Sequence, residues 1–116
     1  MTKNNLILDL SFDFALEIID YSEVLEEKRK YVIANQLLKS GTSIGANIKE
    51  AQSAESKADF IHKFKIADKE IKETEYWLML CQKAKKYPSP SSEIVDKLDS
   101  IKNIVSKIII TSKRNC

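Results

Sequence analysis

Chain-breaking residues are scarce: the 116 residues include two glycines and two prolines. That excludes a sheet-rich domain built on many tight turns and leaves long helices as the economical way to organise the chain. Histidine is scarcer still, with His62 the only one. The di-iron sites found in some helical bundles use two Glu-x-x-His pairs, and this chain offers a single Asp59-x-x-His62 approximation. Cys81 and Cys116 are too far apart to match a metal-ligand spacing. No apolar run approaches the roughly 20 residues of a membrane-spanning helix. Asp9 and Asp13 interrupt the apolar N-terminal stretch, so no secretory signal is expected. Together these absences point to a reduced, cytoplasmic setting with no metal, cofactor or membrane partner. A net charge of +2 is too small by itself to argue for nucleic acid.

Charged residues make up 31% and hydrophobic ones 43%, enough for one domain over residues 1–116 with a real core. Leu10, Phe14, Ile18, Tyr21 and Leu25 recur at helical spacing and define a first helix, with Asp9 or Ser11 as its N-cap. After the charged stretch Glu26 to Lys30, a second stripe holds Ile33, Leu37, Ile44, Ile48 and Ala51. Ser56 followed three residues later by Asp59 resembles a capping box, and a third stripe follows through Phe60, Phe64, Ala67, Ile71, Leu78 and Gln82. Ser89 and Pro90 read as the N-cap and first residue of a fourth helix carrying Ile94, Leu98, Ile101, Val105 and Ile108. Short connections between long helices make sequential neighbours antiparallel. The expected fold is all-α, an up-down-up-down four-helix bundle.

One bundle core cannot use every apolar residue. On helix 1, Leu8, Phe12, Leu16 and Ile19 fall roughly opposite the core stripe, and on helix 3 Ile66, Tyr76, Trp77 and Leu80 point well away from Ile71. Val95 and Ile110 add to the surplus. Single exposed hydrophobes are ordinary, but a second seam combined with an off-core Trp and Tyr predicts an interface between copies of the chain.

The stretch "LLKSGTSIGANIKEAQ", Leu37 to Gln52, holds both glycines and has no charge from Ser40 to Ile48. A phosphate-cradling loop would follow a strand, and none precedes it. The apolar stripe instead runs through in phase, which predicts the middle of helix 2. Gly41 and Gly45 would let another helix come close, while Ser40, Ser43, Asn47 and Glu50 form a polar seam able to bond across helices or subunits.

"QLLKSGTSIGANIKEA" followed by "SKADFIHKFKIADKEIKETEYWLML" resembles the four-helix bundle proteins encoded in intervening sequences of bacterial 23S ribosomal RNA genes. The "SIGANI" element with Glu50 after it, then "DFI" and "IA" on the next helix, carries the resemblance. It implies a small antiparallel bundle that assembles as a ring, typically a homopentamer, with no established enzymatic activity. A related accessory protein of diversity-generating retroelements works with a reverse transcriptase and RNA through a basic surface.

No nucleophile turn or general acid–base pair is recognisable, and the protein is not expected to be an enzyme. The basic residues leave an alternative to self-association alone. The proposed topology brings Lys28, Arg29 and Lys30 near Lys83, Lys85 and Lys86, a candidate surface for RNA, DNA or a nucleic-acid-associated protein. Glu23, Glu26, Glu27, Glu93 and Asp96 lie close enough in the same topology to offset it. On helix 3, Lys63, Lys65, Lys69 and Lys72 alternate with Glu70, Glu73 and Glu75, as expected for an i to i+4 ion-pair face.

Overall fold

The computed structural model describes residues 4–115 and contains four helices: α1 Asn4–Glu27, α2 Tyr31–Ala51, α3 Lys57–Lys83 and α4 Ser92–Arg114. They form an elongated body of 48 × 24 × 20 Å. α1 and α3 each pack on both α2 and α4; across the diagonals no backbones come close, and the Tyr21 and Cys81 side chains meet between α1 and α3. Neighbouring helices are held in register by specific contacts. Gly41 faces Ile18 and Gly45 faces Ser11, so numbers fall along α1 as they rise along α2. Glu50 meets Lys63 and Ser40 meets Thr74 between α2 and α3. Glu75 meets Lys102 between α3 and α4, and Glu17 meets Lys97 between α1 and α4.

The core follows a strict alternation of three- and four-residue steps. On α1 the inward positions are Ile7, Ser11, Phe14, Ile18, Tyr21 and Leu25; on α2 they are Ala34, Leu37, Gly41, Ile44, Ile48 and Ala51. α3 contributes Phe64, Ala67, Ile71, Thr74, Leu78 and Cys81, and α4 contributes Ile94, Leu98, Ile101 and Val105. This is the seam pattern of helices packed with knobs in holes. Several inward sites hold small or polar residues, which explains where the sequence expectation departs. Ser11 is buried in mid-helix against Gly45, with its hydroxyl donating to the Leu8 carbonyl at 3.2 Å, so it caps nothing. Asp9 lies inside α1 as well, because the helix already runs from Asn4. Leu10 sits at the flank of the core, while Ile7 takes the buried site one turn before Ser11. Gln82 is exposed and Cys81 fills the last inward position of α3.

The helix ends follow recognisable chemistry. α1 closes with a Schellman arrangement: the Arg29 amide donates to the Glu26 carbonyl at 2.8 Å and the Lys30 amide to Leu25 at 2.9 Å. Arg29 takes the left-handed conformation, φ 61°, that this motif requires. Ser56 caps α3 by accepting from the Asp59 amide at 3.0 Å, and the Asp59 carboxylate accepts from the Glu55 amide. The fourth helix begins later than expected. Ser91, not Ser89, is its N-cap, accepting from the Ile94 amide at 3.2 Å, and Pro90 is buried ahead of the helix.

Candidate interaction surfaces

Close packing of α1 on α2 is made by the glycines. A Cβ on Gly41 would lie 2.8 Å from Ile18 Cγ2, and one on Gly45 would lie 3.3 Å from the Ser11 carbonyl oxygen. The polar seam beside them divides. Ser40 shares a buried hydrogen bond of 2.9 Å with Thr74 on α3, and Glu50 accepts from Lys63 at 2.9 Å. Ser43 and Asn47 instead bond back to carbonyls of their own helix, at Lys39 and Ser43 respectively, so neither bridges helices within the chain. The helix 3 charges also differ from a simple i to i+4 face. Only Lys72 pairs one turn away, with Asp68; Lys63 and Glu75 reach to α2 and α4. These contacts hold the Lys63 ammonium above its ordinary range through Glu50, Lys97 through Glu17 and Lys102 through Glu75.

The surplus apolar residues are distributed unevenly. Phe12 is 64% exposed, and Leu16 and Ile19 continue the same outward strip of α1. Leu8 is half-buried and helps to line a groove of about 580 Å³ between α1 and α2, floored by Ser11, Ala15, Gly45 and Ala46. Small side chains at those four positions are what leave the groove open. On α3, Tyr76 and Leu80 are exposed. Trp77 and Ile66 are half-buried; Trp77 packs on the core, edge-on to Tyr76 at 5.4 Å, and its indole N–H points to the Glu73 carboxylate at 3.4 Å. Trp77 is therefore largely spoken for inside the chain. Val95 is half-buried and Ile110 exposed. Sequence reasoning missed Val32, which is 74% exposed, together with Tyr31 and Met79. Val32 lies beside the helix 2 stripe in sequence, and its helical phase alone distinguishes it from Ile33.

The six cations occupy one end of the molecule. Lys28, Arg29 and Lys30 form the α1–α2 turn, Lys83 ends α3, and Lys85 and Lys86 begin the following loop. Two contacts join these segments: the Lys30 ammonium lies 4.8 Å from the Tyr87 ring centre, and the Tyr21 hydroxyl donates to the Pro88 carbonyl at 2.5 Å. Among the described residues none of the six makes an ion pair, and Glu23, Glu26, Glu27, Glu93 and Asp96 make none either. A smaller groove of about 390 Å³, lined by Ile33, Leu80, Lys83, Ala84 and Tyr87, opens beside this pole.

Chemistry-bearing side chains do not converge. His62 is exposed, and among the described residues no three His, Cys, Asp or Glu side chains come together as metal ligands. Cys81 is fully buried, which pushes its thiol above the ordinary range and holds it away from the reactive thiolate. Burial also raises the Tyr21 phenol strongly, and the neighbouring Cys81 adds to the effect. Cys116 lies outside the described residues. No helix among them is long and apolar enough to cross a membrane.

The four-helix arrangement agrees with comparison to known proteins. A family model described as 23S rRNA-intervening sequence protein matches residues 3–110. The chain belongs to this family. A crystal structure of a protein of unknown function from the S23 ribosomal protein family of Bacteroides thetaiotaomicron VPI-5482 is similar, with TM-score 0.82 and 41% identity over 89% of this chain and 97% of that one. No curated protein matches. Within this member of the family, the "SIGANI" element, Ser43 to Ile48, brings Gly45 against Ser11 of α1, and Gly41 just ahead of it faces Ile18.

Proposed function

We propose that this 23S rRNA-intervening sequence protein is a non-catalytic, cytoplasmic interaction module of bacteria. In this reading its up-down-up-down antiparallel bundle self-assembles into a ring, a homopentamer, that presents a surface to another macromolecule. The outward strip of Phe12, Leu16 and Ile19 carries the proposal, because it remains exposed after every inward position of α1 is filled. Contiguous apolar surface of this kind is characteristic of interfaces. Light scattering at micromolar concentration tests it: the wild type gives one sharp oligomeric mass, and Phe12→Glu or Leu16→Glu gives folded monomers. A monomeric wild type overturns it. Phe12 and Leu16 are better probes than Trp77, whose replacement would also disturb the core.

A second reading, nucleic-acid binding, is favoured by the six cations at one pole that lack carboxylate partners among the described residues. A ring would repeat that pole around its axis and concentrate the field felt by phosphates. The partner would be RNA or an RNA–protein complex. Affinity for a structured RNA would fall steeply with salt and collapse when Lys28, Arg29, Lys85 and Lys86 are neutralised together. A log–log salt slope near zero removes this reading.

A further inference from the structure

Charge is segregated by helix. α1 carries seven carboxylates, from Asp9 to Glu27, and no lysine or arginine, leaving ten of the seventeen acids and all nineteen Lys and Arg elsewhere. Of the seven, only Glu17 is paired within the described chain, to Lys97 at 2.6 Å. Asp13 and Asp20 are exposed and flank Leu16 one turn to either side, so the outward strip of α1 is both apolar and acidic. The groove at the opposite side of α2 has the complementary character. Ile33, Leu80 and Ala84 give it an apolar floor, Lys83 lines it, and Lys30 stands over its Tyr87 wall without a carboxylate partner.

We infer that the acidic apolar strip of α1 seats on this basic apolar groove of a second copy, head to tail, with Asp13 and Asp20 set against the neighbour's Lys30 and Lys83. The inference rests on the self-association proposed above and names the two surfaces that make it. Like surfaces cannot pair: α1 against α1 would stack carboxylates, and groove against groove would stack lysines, and like-charge juxtaposition strongly disfavours both. The contact is thus heterologous, so every open assembly keeps one free strip and one free groove until it closes. Lys28, Arg29, Lys85 and Lys86 stay clear of it and remain available to phosphates.

Charge exchange tests the pairing. Asp13→Lys/Asp20→Lys and Lys30→Glu/Lys83→Glu are each expected to be folded by circular dichroism and monomeric by light scattering. Combining all four substitutions in one chain restores the oligomer, whereas mixing the two double variants restores association only in alternation, which a five-membered ring cannot close. Asp13→Asn/Asp20→Asn, a gentler change that perturbs folding least, weakens association about tenfold or more. A monomeric wild type would remove self-association itself. A wild-type oligomer whose mass survives either folded double variant, or a folded fourfold variant that stays monomeric, overturns the head-to-tail pairing alone. Retention of wild-type mass by Lys30→Glu/Lys83→Glu together with lost binding of a labelled single-stranded RNA would assign the groove to phosphates instead.

Discussion

Gly41→Ala isolates the packing of α1 on α2. In an exposed helix the substitution would stabilise by about 1 kcal/mol, since alanine loses less backbone entropy and shields the helix backbone. Here the new methyl carbon would stand 2.8 Å from Cγ2 and 3.0 Å from Cγ1 of Ile18, a fully buried side chain. Both atoms branch close to the α1 backbone, so no flexible end can swing aside and the helices must separate. Overpacking of this kind costs about 1–3 kcal/mol. The net expectation is destabilisation by about 1 kcal/mol, a fall in melting temperature of about 4 °C for a chain of this size. Gly45→Ala is the control. Its nearest contact is 3.3 Å from the Ser11 carbonyl oxygen, a shortfall of a few tenths of an ångström that the propensity gain offsets, so stability should change by less than about 0.5 kcal/mol. Urea denaturation of both variants, with Ile18→Ala in each background, completes the measurement. Ile18→Ala alone costs about 2–5 kcal/mol, and it costs measurably less in the Gly41→Ala background because the added methyl fills part of the cavity. A Gly41→Ala protein about 1 kcal/mol more stable than wild type, with no coupling to Ile18, would refute the close-approach reading of α2.

Two further expectations follow from individual side chains. Arg29→Gly relieves a non-glycine residue of its left-handed conformation, φ 61°, and should raise stability by about 0.5–1 kcal/mol in thermal melts; no gain would mean the Arg29 side chain contributes an offsetting contact. Tyr21 and Cys81 hold their protons above their ordinary ranges in the fold, so on raising pH the unfolded chain ionises first. Their contribution to stability is therefore constant below about pH 8 and is lost above it, at up to about 1.4 kcal/mol per pH unit for each group once its unfolded form is ionised. The lysines raised by Glu50, Glu17 and Glu75 act in the same direction at higher pH. Urea midpoints measured from pH 8 to 11 should fall less steeply for Tyr21→Phe and for Cys81→Ala than for wild type, and identical slopes would contradict the burial argument.

How much was legible in the sequence varied with the size of the residue at each inward position. Where that position is large and apolar, as at Phe14, Ile18, Ile44, Ile71 and Ile101, periodicity alone located it, because burial of such side chains dominates helix packing. Where it is Ser11, Gly41 or Thr74, hydropathy gives no signal; the phase is interrupted, and a neighbour such as Leu10 looks like the better candidate. The outward strip at Phe12, Leu16 and Ile19 was legible for the same reason as the core, as a second stripe out of phase with the first. Trp77 misled in part. Its helical phase turns it from the bundle axis, yet an indole is long enough to lean back onto the core at its edge.

The sequence by itself determined that there are four helices, that α2 runs through its glycines, and that α1 and α3 carry more apolar surface than one core can hold. Those conclusions need only the 3.6-residue period, which is a local property of the backbone. Only the tertiary structure decided what stands opposite each small residue, since the 2.8 Å approach to Gly41 belongs to a pair of helices and not to either alone. It also decided which charges are satisfied. Lys63 and Glu75 look equivalent to their neighbours along α3 but find partners on other helices, whereas the carboxylates of α1, apart from Glu17, and the lysines around the Tyr87 groove find no carboxylate–ammonium pairing within the described chain. Electrostatic pairing depends on distance through space, and distances between helices are fixed only when the core closes.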